Sequence, residues 1–159
     1  MKTIIVSGSV GTGKTVIAKR LAKILKADYI NITELVKKNK LGKYSKKYDS
    51  YEVDIKKLNN FLIKIIKKSK KNIVIDGHLS HYLPRKYVDL CIICKCDIKK
   101  LKKRLEKRDY SSKKVRENLD VEIFDSILEE ARDRKHNILV IDTSKKYNLE
   151  KLLSKASLS

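Results

Sequence analysis

The feature that most constrains this chain lies near its start: Gly8-Ser9-Val10-Gly11-Thr12-Gly13-Lys14-Thr15, a full match to G-x-x-x-x-G-K-[ST]. Glycines at these places let the backbone curl so that N–H groups face inward around phosphate oxygens. A helix that follows presents the positive end of its dipole to the same anion. The pattern carries this meaning only between a strand and a helix, and both are predicted here. Lys2 to Ser7 is a β-branched run, and Ile17, Leu21, Ile24 and Leu25 recur behind the loop at helical spacing. Gly8, Gly11, Thr12, Gly13, Lys14, Thr15 and Val16 are therefore expected to bind ATP. Lys14 would reach the β- and γ-phosphates, and the Thr15 hydroxyl would ligate Mg²⁺.

Such a loop needs a sheet behind it, and the rest of the chain supplies one. Ala27 to Ile32 reads as a second strand, and Thr33 as the cap of a helix running past Val36. Residues from about 40 to 53 mix Gly42, tyrosines and polar groups, and read as a loop or mobile insertion. Leu58, Phe61, Leu62, Ile65 and Ile66 mark an amphipathic helix. Asn72 to Asp76 and Val88 to Cys94 are further strands. Ile98, Leu101 and Leu105 lie on a helix ending near Arg108, which Asp109 to Ser112 interrupts. One long helix is then expected, with Phe124, Ile127, Leu128 and Ala131 on a single face. Asn137 to Ile141 forms the last strand, before a short C-terminal helix. Strands alternating with helices imply an α/β fold with a parallel sheet covered on both sides.

Length and composition agree. The 159 residues suit one domain, and 42% hydrophobic residues with a single proline is a globular composition. Apolar runs are strand-sized, too short for a signal peptide or a membrane span, so a soluble, cytoplasmic protein is expected. Cys91, Cys94 and Cys96 sit in or beside an apolar strand; their odd number argues against a disulfide framework, and the histidines are not at zinc-finger spacing. The net charge of +20 favours polyanionic partners such as nucleotides, RNA or a ribosomal surface, although a lysine-rich genome or a heat-adapted host gives the same number.

A second acidic site follows from Ile73-Val74-Ile75-Asp76, an apolar strand ending in a carboxylate. In P-loop proteins such an aspartate sits beside the first strand and orients Mg²⁺ or its waters. His78 follows two residues on; it either orients a water or an acceptor phosphate, or simply hydrogen-bonds within the loop. Arg104 and Arg108 lie four apart at a helix end, where a basic flap would hinge over the nucleotide; a solvated helix face explains them equally well. Arg85 is another candidate for gripping phosphate. Lys43, Lys46 and Lys47 among Tyr44, Tyr48 and Tyr51 suit a mononucleotide, charge for its phosphate and rings for its base.

Together, the N-terminal loop, Asp76-x-His78, Arg104-Leu105-Glu106-x-Arg108-x-Tyr110 and Glu117-Asn118-x-x-x-Glu122-Ile123-Phe124 resemble one group. It is the archaeal and eukaryotic adenylate-kinase-like ATPase family, which includes the coilin-interacting nuclear ATPase and a small-ribosomal-subunit maturation factor. The resemblance runs over nearly the whole chain. It implies a nucleoside-monophosphate-kinase-like fold with a five-stranded parallel core. An AMP-binding insertion would span about residues 31–56, and a short lid about 108–116. It implies transfer from ATP to AMP together with ATP hydrolysis, and Lys14, Asp76, His78 and Arg108 as catalytic residues. Arg104 and Arg108 would join the ATP-binding set, and Thr15 and Asp76 would hold Mg²⁺. A platform protein of the small ribosomal subunit, and rRNA, would be the partners. Three positions depart from the family pattern: Val10 replaces a common proline, Asp109 replaces a common glycine, and the insertion contains no arginine. A stiffer lid hinge and a weaker grip on the AMP phosphate are the expected consequences. The open alternatives are a nucleotide-switched assembly factor with little kinase activity, and a kinase for another small acceptor.

Overall fold

The computed structural model describes residues 1–156. Its centre is a five-stranded parallel sheet in the order β2-β5-β1-β6-β7. The strands are β1 (Thr3–Gly8), β2 (Asp28–Asn31), β5 (Ile73–Asp76), β6 (Leu90–Lys95) and β7 (Ile138–Asp142). β1 occupies the middle and is buried along its whole length. Its residues alternate between two cores, as the period-2 geometry of a strand requires. Ile5 joins Ile73, Ile75, Cys91 and Ile93 on one face. That face is covered by α2 (Ile32–Asn39), α3 (Ile55–Lys68) and α6 (Ser126–Asp133). Ile4 and Val6 join Val74, Leu90, Ile92 and Cys94 on the other, beneath α1 (Lys14–Ile24) and α7 (Leu149–Lys155). A smaller cluster of Leu101, Leu105, Val115 and Leu119 packs α4 (Ile98–Glu106) against α5 (Ser112–Ile123).

Side-chain caps set most helix starts: Asn31, Asp54, Asp97, Ser111 and Asn148 each accept an N–H from the first turn of the helix they precede. At α1 the capping position is Gly13, in the left-handed conformation (φ +87°) and with no side-chain cap. The first N–H groups of α1 are thus left for an external anion.

Several expectations need correction. Residues 40–53, expected as a loop or mobile insertion, contain an antiparallel hairpin, β3 (Gly42–Ser45) with β4 (Ser50–Val53). Its residues are mostly exposed on both faces, so no hydrophobic alternation announced it. Asn31, not Thr33, caps α2. The sixth strand begins at Leu90, because Arg85–Tyr87 forms a short 3₁₀ turn after Pro84. The expected long helix is two: α5 and α6 break at Asp125, which takes a left-handed φ of +51°. The break turns Phe124 out of the core, leaving it 73% exposed. Among the described residues, no helix is long and apolar enough to cross a membrane.

Beneath the ends of β1 and β5 lies a buried polar relay. The Ser7 hydroxyl sits 3.0 Å from His81 Nδ1, and His81 Nε2 sits 2.7 Å from Glu130. His136 Nε2 is 2.9 Å from the His81 carbonyl. Burial holds the pKa of both histidines below the usual value, outweighing the pull of Glu130 on His81. Unfolding restores the ordinary value near 6.5. Below that pH the unfolded chain therefore binds more protons than the folded one, so stability falls as pH falls toward the lowered values. Thermal melts from pH 7 to pH 4 are expected to show a steady decline in melting temperature, shallower in His81→Gln than in the parent.

Candidate functional site

The loop between β1 and α1 lies at the carboxyl ends of the strands, where open α/β sheets bind ligands. Gly8 makes its turn possible: φ is +144°, and a Cβ there would lie 2.5 Å from the Cys94 carbonyl oxygen. Gly8→Ala is expected to cost more than about 3 kcal/mol in urea unfolding, because a fixed strand backbone blocks relaxation. Internal bonds hold the curl. The Ser9 carbonyl accepts from Thr12 Oγ1 at 2.7 Å and from Lys14 Nζ at 2.8 Å. Thr143, just past β7, donates to the Thr12 carbonyl at 2.6 Å. Arg104 Nη1 donates to the Gly11 carbonyl at 3.2 Å.

The loop opens onto a cleft of about 430 Å³ lined by Val10, Gly11, Gly13, Lys14, Thr15, Val16, Asn31, Thr33, Asp76, Gly77, His78, Arg108 and Tyr110. The structure thus brings together Lys14, Thr15, Asp76, His78 and Arg108, residues more than ninety positions apart at the extremes. Register explains part of this: β5 pairs with β1 so that Val6 lies beside Asp76. Asp76 is 1% exposed and accepts through one oxygen from Thr15 Oγ1 (2.7 Å), Tyr29 OH (2.7 Å) and Asn31 Nδ2 (3.3 Å).

The electrostatics are those of a cationic cleft with one carboxylate. Burial lowers the pKa of Lys14 below the usual lysine value, and Arg108 adds to the effect; Cys94, Asp76 and Glu122 oppose it. Tyr29 is pushed up to about 12, first by burial and then by its bond to Asp76, so it stays a hydrogen-bond donor. His78 stands exposed at the rim. Surrounding atoms, then Lys14 and His81, lower its pKa, and the ring is neutral at pH 7.

Arg104 reaches the loop backbone while Arg108 lines the cleft, so the two arginines are divided between loop and cleft. Arg85 is not in this site. It lines a separate hollow with Lys86, Asp89, Lys135, His136 and Asn137, next to the start of β6 and far from the strand ends that carry the loop. Lys43, Lys46 and Lys47 are not among the cleft-lining residues. Instead Lys114, at the start of α5, bridges to the hairpin by donating to the Asp49 carbonyl at 2.9 Å. Asp109 does take the left-handed conformation, φ +55°, that makes glycine usual at such a position.

Four residues of the site were not anticipated as such: Tyr29, Asn31, Glu122 and Thr143. The first two reach Asp76 because β2 lies beside β5, with Asn31 opposite Asp76. That pairing is non-local and leaves no local sequence signal.

A family profile described as an AAA domain matches residues 4–125. A Pyrococcus furiosus protein provisionally named adenylate kinase is 38% identical over 143 residues, covering 90% of this chain and 76% of that protein. A Methanocaldococcus jannaschii protein with the same provisional name is 43% identical over 138 residues, covering 85% and 75%. The Caenorhabditis elegans adenylate kinase isoenzyme 6 homolog is 34% identical over 131 residues, covering 82% and 72%. Among solved structures, shikimate kinase from Acinetobacter baumannii in complex with shikimate superposes with a TM-score of 0.64 at 14% identity, covering 98% of this chain and 90% of that one. Shikimate kinase from Bacteroides thetaiotaomicron gives 0.60 at 13%, covering 97% and 95%. At such identities the likeness is one of fold, a P-loop kinase fold. With the loop, the Asp76 strand and the relatives in agreement, the chain belongs to the adenylate-kinase-like family of P-loop proteins.

Proposed function

We propose that the cleft binds ATP on the loop at residues 8–15 and AMP on its hairpin side, and moves the γ-phosphoryl group from one to the other. The observation that carries this reading is the convergence of Lys14, Arg108 and the Asp76–Thr15 pair on one cleft at an uncapped helix N-terminus. In such transfers the protein supplies position and charge instead of a covalent nucleophile. Loop N–H groups from Gly8 to Val16 would hold the α- and β-phosphates. Lys14 would leave the Ser9 carbonyl for the β- and γ-phosphate oxygens. Arg108 would balance charge on the moving group, while Arg104 steadies the loop. His78, neutral, would donate to or accept from the acceptor phosphate at the rim. An AMP phosphate oxygen forms the new bond to the γ-phosphorus as the β–γ bridging bond breaks, giving two ADP.

The Thr15 hydroxyl and Asp76 carboxylate, 2.7 Å apart and facing the cleft, are hard oxygen donors of the kind Mg²⁺ prefers alongside phosphates. When bound, the metal would neutralise phosphate charge. Tyr29 and Asn31 keep the carboxylate aimed while it waits.

Residues 31–56 would form the acceptor-binding insertion and 108–116 the lid. The relatives' names point to AMP as acceptor. A second reading, ATP hydrolysis in service of an assembly step, draws on the hairpin lysines standing away from the cleft and on the +20 charge, which suits an RNA-rich particle such as the small ribosomal subunit with its platform protein. An acceptor panel separates them. With Mg·ATP, AMP should yield diphosphate faster than CMP, GMP, UMP or shikimate. Free phosphate at one rate whatever the acceptor would remove the kinase reading.

A further inference from the structure

The Glu117-to-Phe124 run contains a buried carboxylate that the proposed reaction leaves unused. Glu122 is 4% exposed, in the last turn of α5, yet it touches the phosphate loop. Its Oε2 accepts from the Ser9 hydroxyl at 2.7 Å. Its Oε1 accepts from the Cys96 backbone N–H at 3.1 Å and pairs with Lys95 Nζ at 2.7 Å. Lys95 also donates to the Glu122 carbonyl at 3.1 Å and pairs with Asp125, closing the corner between α5 and α6. Partial burial works against the charge on Lys95, but its bonds to Asp125 and Glu122 outweigh that and raise its pKa above the usual lysine value.

Ser9 is the residue through which this corner reaches the ligand site. Its side chain is tied to Glu122, while its carbonyl accepts from Thr12 N at 3.3 Å, Thr12 Oγ1 at 2.7 Å and Lys14 Nζ at 2.8 Å. The Ser9 peptide therefore marks where Lys14 rests before a phosphate arrives, and it shapes the curl of the next three residues. Side-chain tethers between a phosphate loop and a distant helix are one way of holding binding groups within the narrow tolerance that tight binding needs.

We infer that Glu122 is a positioning residue for the phosphate loop. Supported by Lys95, it fixes Ser9 so that the loop is shaped for phosphate before nucleotide binds. The inference rests on the nucleotide-binding reading of the cleft.

The test is a double-mutant cycle in the full-length protein, with ADP and Mg²⁺ as the probe in isothermal titration. Glu122→Gln removes the charge and disorders the acceptor pattern; Ser9→Ala removes only the tethered hydroxyl. Each is expected to weaken ADP binding about tenfold, the size of one charge-assisted hydrogen bond. The double variant should be no weaker than the worse single one, because both break the same tether. Loss of a donor to a buried carboxylate also lowers the ligand-free melting temperature of Ser9→Ala, so affinity is compared at a temperature where both proteins are fully folded; a merely structural role would leave ADP affinity at the parental value there. Parental ADP affinity in Ser9→Ala overturns the inference, as does a double variant weakened about a hundredfold. If Glu122→Gln does not fold, Ser9→Ala decides alone. Failure of the parent protein to bind ADP would overturn the nucleotide reading itself, a result distinct from either.

Discussion

Lys14→Ala is expected to lower AMP-dependent ADP formation by about 10²–10³-fold, read as initial rates under saturating Mg·ATP. Lys14 is the cleft cation that follows directly from the phosphate loop, and its Nζ lies 2.8 Å from the Ser9 carbonyl, ready to exchange that neutral acceptor for charged phosphate oxygens. Burial lowers its pKa, Asp76 and Glu122 offset this in part, and a bound phosphate would offset it further. Removing the side chain should therefore leave the ligand-free melting temperature near that of the parent, or raise it slightly. Loss of rate without loss of stability is the signature to look for. Lys14→Arg should fail almost as badly, because a broad planar guanidinium does not replace a point charge on a short approach.

Asp76→Asn is expected to cost a similar 10²–10³-fold in rate, but with a different pattern of binding. The parent carboxylate lies beside Thr15 and near Lys14, so it repels a metal-free nucleotide and attracts a metal-bound one. In the variant, ADP without Mg²⁺ should bind as tightly as in the parent or more tightly. The strengthening that Mg²⁺ confers should shrink toward nothing. Titrating ADP with and without the metal measures both. Tyr29 and Asn31 donate to the same oxygen, so the variant keeps an acceptor for them if its amide oxygen takes that place. The fold should survive, and a large fall in melting temperature would mean that the carboxylate is chiefly structural.

How much of this was legible beforehand depends on whether the signal was local. The loop at Gly8 to Thr15 and the strand ending at Asp76 are contiguous patterns, and the structure brings both to one cleft at the ends of adjacent parallel strands. The parallel sheet followed from apolar runs alternating with helical spacing. Tyr29 and Asn31 went unassigned because their role arises from β2 lying on β5, a pairing between residues more than forty apart. Glu122 was visible as part of a motif, but its place in a helix face gave no hint of Ser9, 113 positions away. The long helix over Phe124 to Ala131 was misread because periodicity runs straight through Asp125. One left-handed residue there rotates everything before it, and the phenyl ring moves from core to solvent. Arg85 was misplaced for a related reason. A proline and an arginine near a strand do not say which end of the sheet they occupy, and here it is the far one.

The hairpin is where sequence and structure leave the largest consequence for activity. It carries lysines and no arginine, and Lys43, Lys46 and Lys47 are not among the residues lining the cleft. Lys114 of α5 already bridges to the hairpin through the Asp49 carbonyl. On the proposed reading, an acceptor phosphate met by lysines instead of arginines binds with modest affinity.

The most direct test of the central claim is ³¹P NMR of the purified protein with Mg·ATP, run with and without AMP. The account predicts that AMP drives formation of two ADP for each ATP consumed, with little inorganic phosphate, and that without AMP the ATP signals persist. Inorganic phosphate appearing at the same rate in both samples, with no AMP consumed, would contradict it.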